Sequence, residues 1–404
     1  MTAQNVFRVC ALGAFTLVGC GAFLGDLSER TTDVAPVDAA TESDTAPPRE
    51  PAEAGDARSE PMDACVAEPL TVTCAQKACG PAKNNCDGDV TCPDTCKDGL
   101  ACGSGGANVC GPPSCAGTGP GVSACGVGGA ASCCATSTVP GATYNRAGSG
   151  APATVASFQL DHYEVTVGRF RKFVTAVVAG YLPPAASGRH PNGVLNGGSE
   201  VGWNALEWNA YIPTTAAKWN EVLSCRSGYS TWTAAPGATD NKPQNCANWY
   251  QLHAFCIWDG GFLPTEAEWQ LAATEAGQRT YPWAGGVQPS ANADLGAWGC
   301  FFNGTGTCSG TANIAPVGII AAGVGAYGQS DLGGNLYEWT LDAMPASYGD
   351  CLNCANLPSG SPTSRNMRGG SFRGDFSLMQ GASRNLEDPR GGSDVIGARC
   401  ARKP

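Results

Sequence analysis

The chain has 404 residues, 22 cysteines, only three histidines and a net charge of −11. Between Asp26 and Asp63 eleven acids face only Arg30, Arg49 and Arg58, so the remainder is close to neutral and offers no basic patch for nucleic acid. Cysteine this dense, without histidine at ligand spacings, reads as disulfides in an oxidising compartment; zinc is the alternative, because Cys92-x3-Cys96 and Cys351-x2-Cys354 fit its spacings loosely.

Residues 1–19 read as an export signal. Arg8 ends a short polar start, and Val9 to Leu17 is apolar but too short to cross a bilayer. The stretch Leu17-Val18-Gly19-Cys20 resembles the lipobox of bacterial lipoproteins, in which cleavage exposes a cysteine for lipid attachment. Cys20 is therefore the expected lipidation site and the membrane the expected partner, since several acyl chains anchor stably. Gly21 after Cys20, in place of Asp, points to the outer membrane. Residues 20–64 are rich in Ala, Pro, Thr, Asp and Glu. They hold too little apolar surface to offset the entropy of ordering, so a charged, extended tether is expected.

Removing Cys10 with the signal and Cys20 with the lipid leaves twenty cysteines: twelve from Cys65 to Cys134 and eight from Cys225 to Cys400. Both counts are even, as pairing within each region requires. Residues 65–134 form a disulfide-rich module without apolar periodicity, for which cross-links must supply the stability. Adjacent Cys133 and Cys134 must take different partners.

From Val139 the texture changes, and residues 139–404 can build one large core. Phe158 to Tyr163 alternates like a strand. Val167, Phe170, Phe173, Val174, Val177 and Val178 recur at helical spacing behind Thr166, a candidate N-cap. A second amphipathic helix is expected through Trp249, Leu252, Phe255 and Cys256. A third begins at Thr265, where Thr265 and Glu268 have capping-box spacing. Long Gly-rich stretches follow. The class is α+β with extensive loops, which need other fastening.

Six stretches carry a resemblance in consistent order. They are Asp161-His-Tyr-Glu-Val-Thr166, Cys256-Ile-Trp-Asp-Gly-Gly-Phe-Leu-Pro-Thr-Glu-Ala-Glu-Trp269, Tyr281-Pro-Trp283, Asp331-Leu-Gly-Gly-Asn-Leu-Tyr-Glu-Trp339, Arg368-Gly-Gly-Ser371 and Gly397-Ala-Arg-Cys400. Together they resemble the formylglycine-generating enzyme, or sulfatase-modifying factor, family. The cysteine-rich module is also similar to ones that precede this domain in myxobacterial lipoproteins. The resemblance implies a C-type-lectin-like variant fold, low in regular structure and stabilised by calcium.

Calcium prefers six to eight hard oxygens, and glycine lets a loop turn its carbonyls inward. Asp331 and Glu338 offer carboxylates and Gly334 and Leu336 offer carbonyls, at positions the family uses for calcium. The family's second site would begin near Asn292, but no acidic ligand matches downstream. The resemblance also implies a Cys256–Cys400 bond. Proximity pairs Cys225 with Cys246, Cys300 with Cys308 and Cys351 with Cys354.

The family's oxidase converts a sulfatase cysteine to formylglycine with two of its own cysteines, which hold copper(I). Soft thiolates suit that ion. Here Gly374 and Met379 occupy the expected positions, so copper is not expected and that route to oxidation looks lost. Sulfoxide synthases of the same domain use iron histidines, and His162, His190 and His253 are too scattered to form a triad. The expectation is an envelope-anchored, calcium-stabilised module that binds peptide, glycan or protein through a lectin-like groove. A sulfatase-modifying oxidase, or another enzyme on the same domain, is the alternative.

Overall fold

The computed structural model describes residues 65–404 apart from 98, 147–149, 192–201, 345–348 and 358–362. The export signal, Cys20 and the tether lie outside the described residues.

The cysteine-rich segment has little regular structure: helix α1 (Leu70–Thr73), the hairpin of β1 (Gly80–Lys83) and β2 (Asp89–Cys92), and the two-residue strands β3 (Ala101–Cys102) and β4 (Cys110–Gly111). Six disulfides tie it, pairing Cys65–Cys86, Cys74–Cys92, Cys79–Cys102, Cys96–Cys110, Cys115–Cys134 and Cys125–Cys133. Among the described residues, Cys79, Cys96 and Cys110 alone converge as a potential metal cluster. Each is already bonded, so they offer no thiolate.

Strands β5 (Thr136–Val139), β6 (Ala142–Asn145), β7 (Pro152–Val155) and β8 (Phe158–Asp161) follow. Helix α2 (Val167–Val178) begins where Thr166 accepts the Arg169 N–H, satisfying one orphan donor. Two short helices, α3 (Ala205–Trp208) and α4 (Ala216–Val222), lead to α5 (Trp249–Trp258) and α6 (Glu266–Thr274). Helix α6 starts in a reciprocal capping box of Thr265 and Glu268. Helix α5 departs from the amphipathic expectation: every residue from Trp249 to Ile257 is buried. It runs through the centre of the domain, so it has no solvent face to mark with charges.

The last third supplies β9 (Tyr337–Ala343), β10 (Cys351–Leu352), β11 (Arg365–Arg368), β12 (Arg384–Glu387), β13 (Ile396–Gly397) and β14 (Ala401–Arg402). The largest sheet has the order β12-β11-β9-β13, with β9 buried along its whole length. The C-terminal β14 pairs with β8, Ala401 opposite Leu160, and β8 pairs with β5. The main core packs α2 and α5 around an aromatic knot of Phe170, Phe173, Trp219 and Phe255, with ring centroids 5.4–6.0 Å apart. Each fully buried ring of this kind contributes about 1.5–3 kcal/mol.

The cysteine-rich segment continues into this body without a break in packing. Cys125 and Cys133 share a buried cluster with Tyr163 and Val317. Thr166 Oγ1 donates to the Gly121 carbonyl, and Gly121, at φ +72°, lies so close to the Asp240 carbonyl that a Cβ would overlap it. Beneath them sits a charge-neutral buried network. Arg169 donates to Asp161 Oδ2 at 3.0 Å, Asp259 Oδ2 at 2.5 Å, Ser114 Oγ at 2.9 Å and the Cys133 carbonyl at 3.2 Å. Arg402 bonds the same two aspartates. Sequence reading missed this network; its one signal was an arginine beside the apolar stripe of α2.

Candidate functional site

Two loops carry the residues to which the sequence assigned chemistry. The first leaves β11 through Gly369 and Gly370, at φ +94° and +75°. Left-handed backbone favours glycine there, because a side chain would crowd the following carbonyl. The loop is stitched on both sides: Gly334 N–H donates to the Gly369 carbonyl at 2.7 Å, Phe372 N–H to Asn335 at 2.7 Å, and Gly299 N–H to Gly374 at 2.9 Å. Gly374 is half-buried, and a short 3-10 turn then carries Met379 inward. Met379 is fully buried against Tyr281, Trp283 and Trp298. Its thioether fills an aromatic pocket, a packing role suited to methionine.

All twenty cysteines from Cys65 to Cys400 are in ten disulfides. In the larger body Cys225 is bonded to Cys246, Cys256 to Cys400, Cys300 to Cys308 and Cys351 to Cys354. The Cys256–Cys400 bond fastens the central helix α5 to the chain just before β14. Among the described residues no thiol remains.

The second loop runs from Asp331 to Glu338 into β9. Asp331, at φ +60°, points its carboxyl inward, where Oδ2 accepts the Gly318 N–H at 2.6 Å. Glu338 is committed elsewhere than the sequence suggested: both its oxygens accept from Arg399 at 2.7 Å, and Oε2 also accepts from Trp269 Nε1 at 2.8 Å. Glu164, which the sequence reading missed, completes the cluster. It accepts the Leu336 N–H at 3.0 Å and the Asn335 amide at 2.7 Å.

Three buried carboxylates thus lie near one guanidinium, which hydrogen-bonds Glu338 alone of the three. Burial, with Asp331 and Glu338 close by, holds the Glu164 carboxyl well above the usual carboxylate range. Burial likewise pushes Asp331 up to about 6. This imbalance is what a bound cation would relieve. For calcium, Asp331 fits well; Glu338 fits less well, because Arg399 and Trp269 occupy most of its acceptor capacity. Asn292 lies apart in an exposed turn, where its Oδ1 accepts from Ser290 and Asp294.

The histidines occupy three separate environments. His162 bonds Ser137 Oγ, His190 bonds Glu268, and His253 is packed among Trp203, Trp208 and Trp249.

A loop-rich α+β body with a buried central helix, a disulfide from that helix to the C-terminal strand and a Gly-Gly-Ser loop beside an acidic turn defines the C-type-lectin-like class of formylglycine-generating folds. Residues 128–404 match the model of the sulfatase-modifying factor enzyme 1-like domain, and the chain belongs to that family. The match begins within the cysteine-rich segment. The bovine formylglycine-generating enzyme is 30% identical over 261 residues, covering 61% of this chain and 66% of that protein, just under two thirds of its length. A second bovine relative, described as inactive C-alpha-formylglycine-generating enzyme 2, is 29% identical over 266 residues, covering 62% and 78%. The solved structure of PvdO from Pseudomonas aeruginosa superposes with a TM-score of 0.44 at 18% identity, covering 67% and 94%.

Proposed function

We propose that this protein is a non-oxidase member of its family: a lipid-anchored envelope module, stabilised by calcium, that binds peptide, glycan or protein. One observation carries the reading. Every described cysteine is in a disulfide, and by the resemblance Gly374 and Met379 stand where the family's copper cysteines belong. Copper(I) chemistry of that kind needs two thiolates, and a methionine thioether cannot ionise. The bovine relative described as inactive gives a precedent for loss of the activity within the family.

Calcium has a structural role in this proposal. Asp331 with the carbonyls of Gly334 and Leu336, and the remaining lone pair of Glu338, would hold it. Bound there, calcium would neutralise the excess buried negative charge and pin the acidic turn against β9. The anchor is Cys20, and the outer membrane is its expected location.

Counting thiols tests the non-oxidase reading. Mature protein, denatured without reductant and treated with an alkylating reagent, should show no reactive cysteine. Two alkylated cysteines, together with oxygen uptake in the presence of copper and a cysteine-bearing sulfatase peptide, would establish the oxidase instead.

A further inference from the structure

A cavity of about 810 Å³ lies on the body where the cysteine-rich segment meets α5. That is within the usual range for small-ligand sites. Its floor includes Thr136, Gln159 and Arg402 from the sheet β14-β8-β5. One wall comes from the end of α5, with Ile257 and Trp258; another follows α2, with Tyr181, Ser187 and Arg189. The third belongs to the cysteine-rich segment, where Leu100, Cys110 and Pro112 close the space. The Cys96–Cys110 and Cys115–Cys134 bonds fix this third wall. It is a built site, made by both halves of the described chain.

Two features specify a ligand. The first is aromatic. Tyr181 and Trp258 are half-buried, and both pack on Phe173, at 6.3 and 5.8 Å between centroids. Locked from behind, they present rigid ring surface to the cavity. Flat apolar surface beside Ser187, Gln159 and Thr136 suits a pyranose ring, which has a C–H face and a rim of hydroxyls. Thr136 Oγ1 donates to Gln159 Oε1 at 2.8 Å and Ser187 Oγ to the Pro184 carbonyl at 2.6 Å, which leaves both hydroxyl oxygens able to accept from such a rim.

The second feature is charge. The lining contains Arg189, Arg402 and Lys403 and no carboxylate. Arg402 is committed to Asp161 and Asp259. Arg189 is exposed, and its guanidinium matches a carboxylate in planar, two-point fashion.

We infer that this cavity binds an acidic oligosaccharide, its rings against Tyr181 and Trp258 and a carboxylate toward Arg189. The site is separate from the Gly374 loop. It stands or falls independently of the non-oxidase reading, which the thiol count decides.

The test is calorimetric titration of the full lipoprotein in non-ionic detergent with tetragalacturonate, maltotetraose and tetraglutamate. Tetragalacturonate should bind saturably, about tenfold more tightly than either other probe, and more weakly as salt rises. Arg189→Glu, an exposed change, should weaken it about tenfold and leave the melting temperature unchanged. Trp258→Ala should weaken it as well. No saturable binding of tetragalacturonate, or binding indifferent to Arg189→Glu, overturns the inference. Equal binding of maltotetraose removes the role of charge and overturns it too. Stronger binding of tetraglutamate reassigns the cavity to acidic peptide and rejects the glycan.

Discussion

Arg399 grips Glu338 with two parallel hydrogen bonds, Nε to Oε2 and Nη2 to Oε1, each 2.7 Å, and both side chains are buried. The same guanidinium donates to the carbonyls of Asp161, His162 and Ser330. One arginine from the end of the chain therefore holds β9, the segment after β8 and the acidic turn together. In the presence of chelator, Arg399→Met strands Glu338 among Glu164 and Asp331 without a cation, and should cost about 3–5 kcal/mol. Arg399→Lys should recover only part of that, since an ammonium cannot make the paired contact. Urea unfolding measures both. A loss below about 1 kcal/mol for Arg399→Met would mean the pair is incidental.

Calcium should raise stability, because it opposes the charge that Arg399 leaves unbalanced. At a free concentration about a hundredfold above the dissociation constant the gain is about 2.7 kcal/mol, or roughly 5 °C in melting temperature for a domain of this size. Asp331→Ala should abolish the difference between calcium and chelator. Asn292→Ala should leave it intact, since Asn292 sits in its own exposed turn. Identical melting curves with calcium and with chelator would sink the calcium assignment.

Local elements were legible in the sequence, and the family resemblance supplied the long-range Cys256–Cys400 bond; the other long-range contacts were not legible. The stripe from Val167 to Val178 and the Thr265–Glu268 pair are patterns within a few residues, and α2 and the start of α6 follow them. The pairing of Ala401 with Leu160 joins segments from opposite ends of the domain and leaves no local trace. Helix α5 misled because burial on all sides removes the polar face that amphipathic reading relies on. At the acidic turn the sequence named Asp331 and Glu338 as equals. It did not reveal that Arg399, some sixty residues later, engages one and leaves the other. Residue types at matching positions identify possible ligands; the partners brought by the fold decide which stay available.

His253 makes the fold acid-sensitive. Burial among tryptophans, with Arg365 nearby, pushes its imidazole down to about 3. In the unfolded chain it takes up a proton near 6.5. The folded state therefore binds fewer protons between these values, so the contribution of His253 is complete above pH 6.5 and drains away as pH falls toward 3. The slope is of order 1.4 kcal/mol per pH unit. His253→Phe keeps a flat ring in place, and Nδ1 has no hydrogen-bond partner among the described residues to lose. The variant should lose less stability than the parent between pH 7 and pH 5, measured by urea unfolding at each pH. Parallel acid limbs would assign the sensitivity to other groups.

The Gly374 loop has room for a small side chain. A Cβ built at Gly374 meets Leu378 Cδ1 at 3.3 Å and Ser371 Oγ at 3.5 Å, so a small side chain fits once Leu378 yields slightly. Met379 is the harder exchange, because shortening it leaves a gap among Tyr281, Trp283 and Trp298 that should cost about 1–3 kcal/mol. Copper(I) supplied without oxygen or thiol reductant should not survive a competing chelator in the parent protein. The Gly374→Cys/Met379→Cys variant should retain one equivalent, and either single variant should lose it, since the ion needs both thiolates for linear coordination. Stoichiometric copper in the parent would place the ion on ligands other than thiolates and overturn the non-oxidase reading. Retention by the double variant alone would show that substitution at two positions, with the surrounding fold preserved, separates this chain from copper binding.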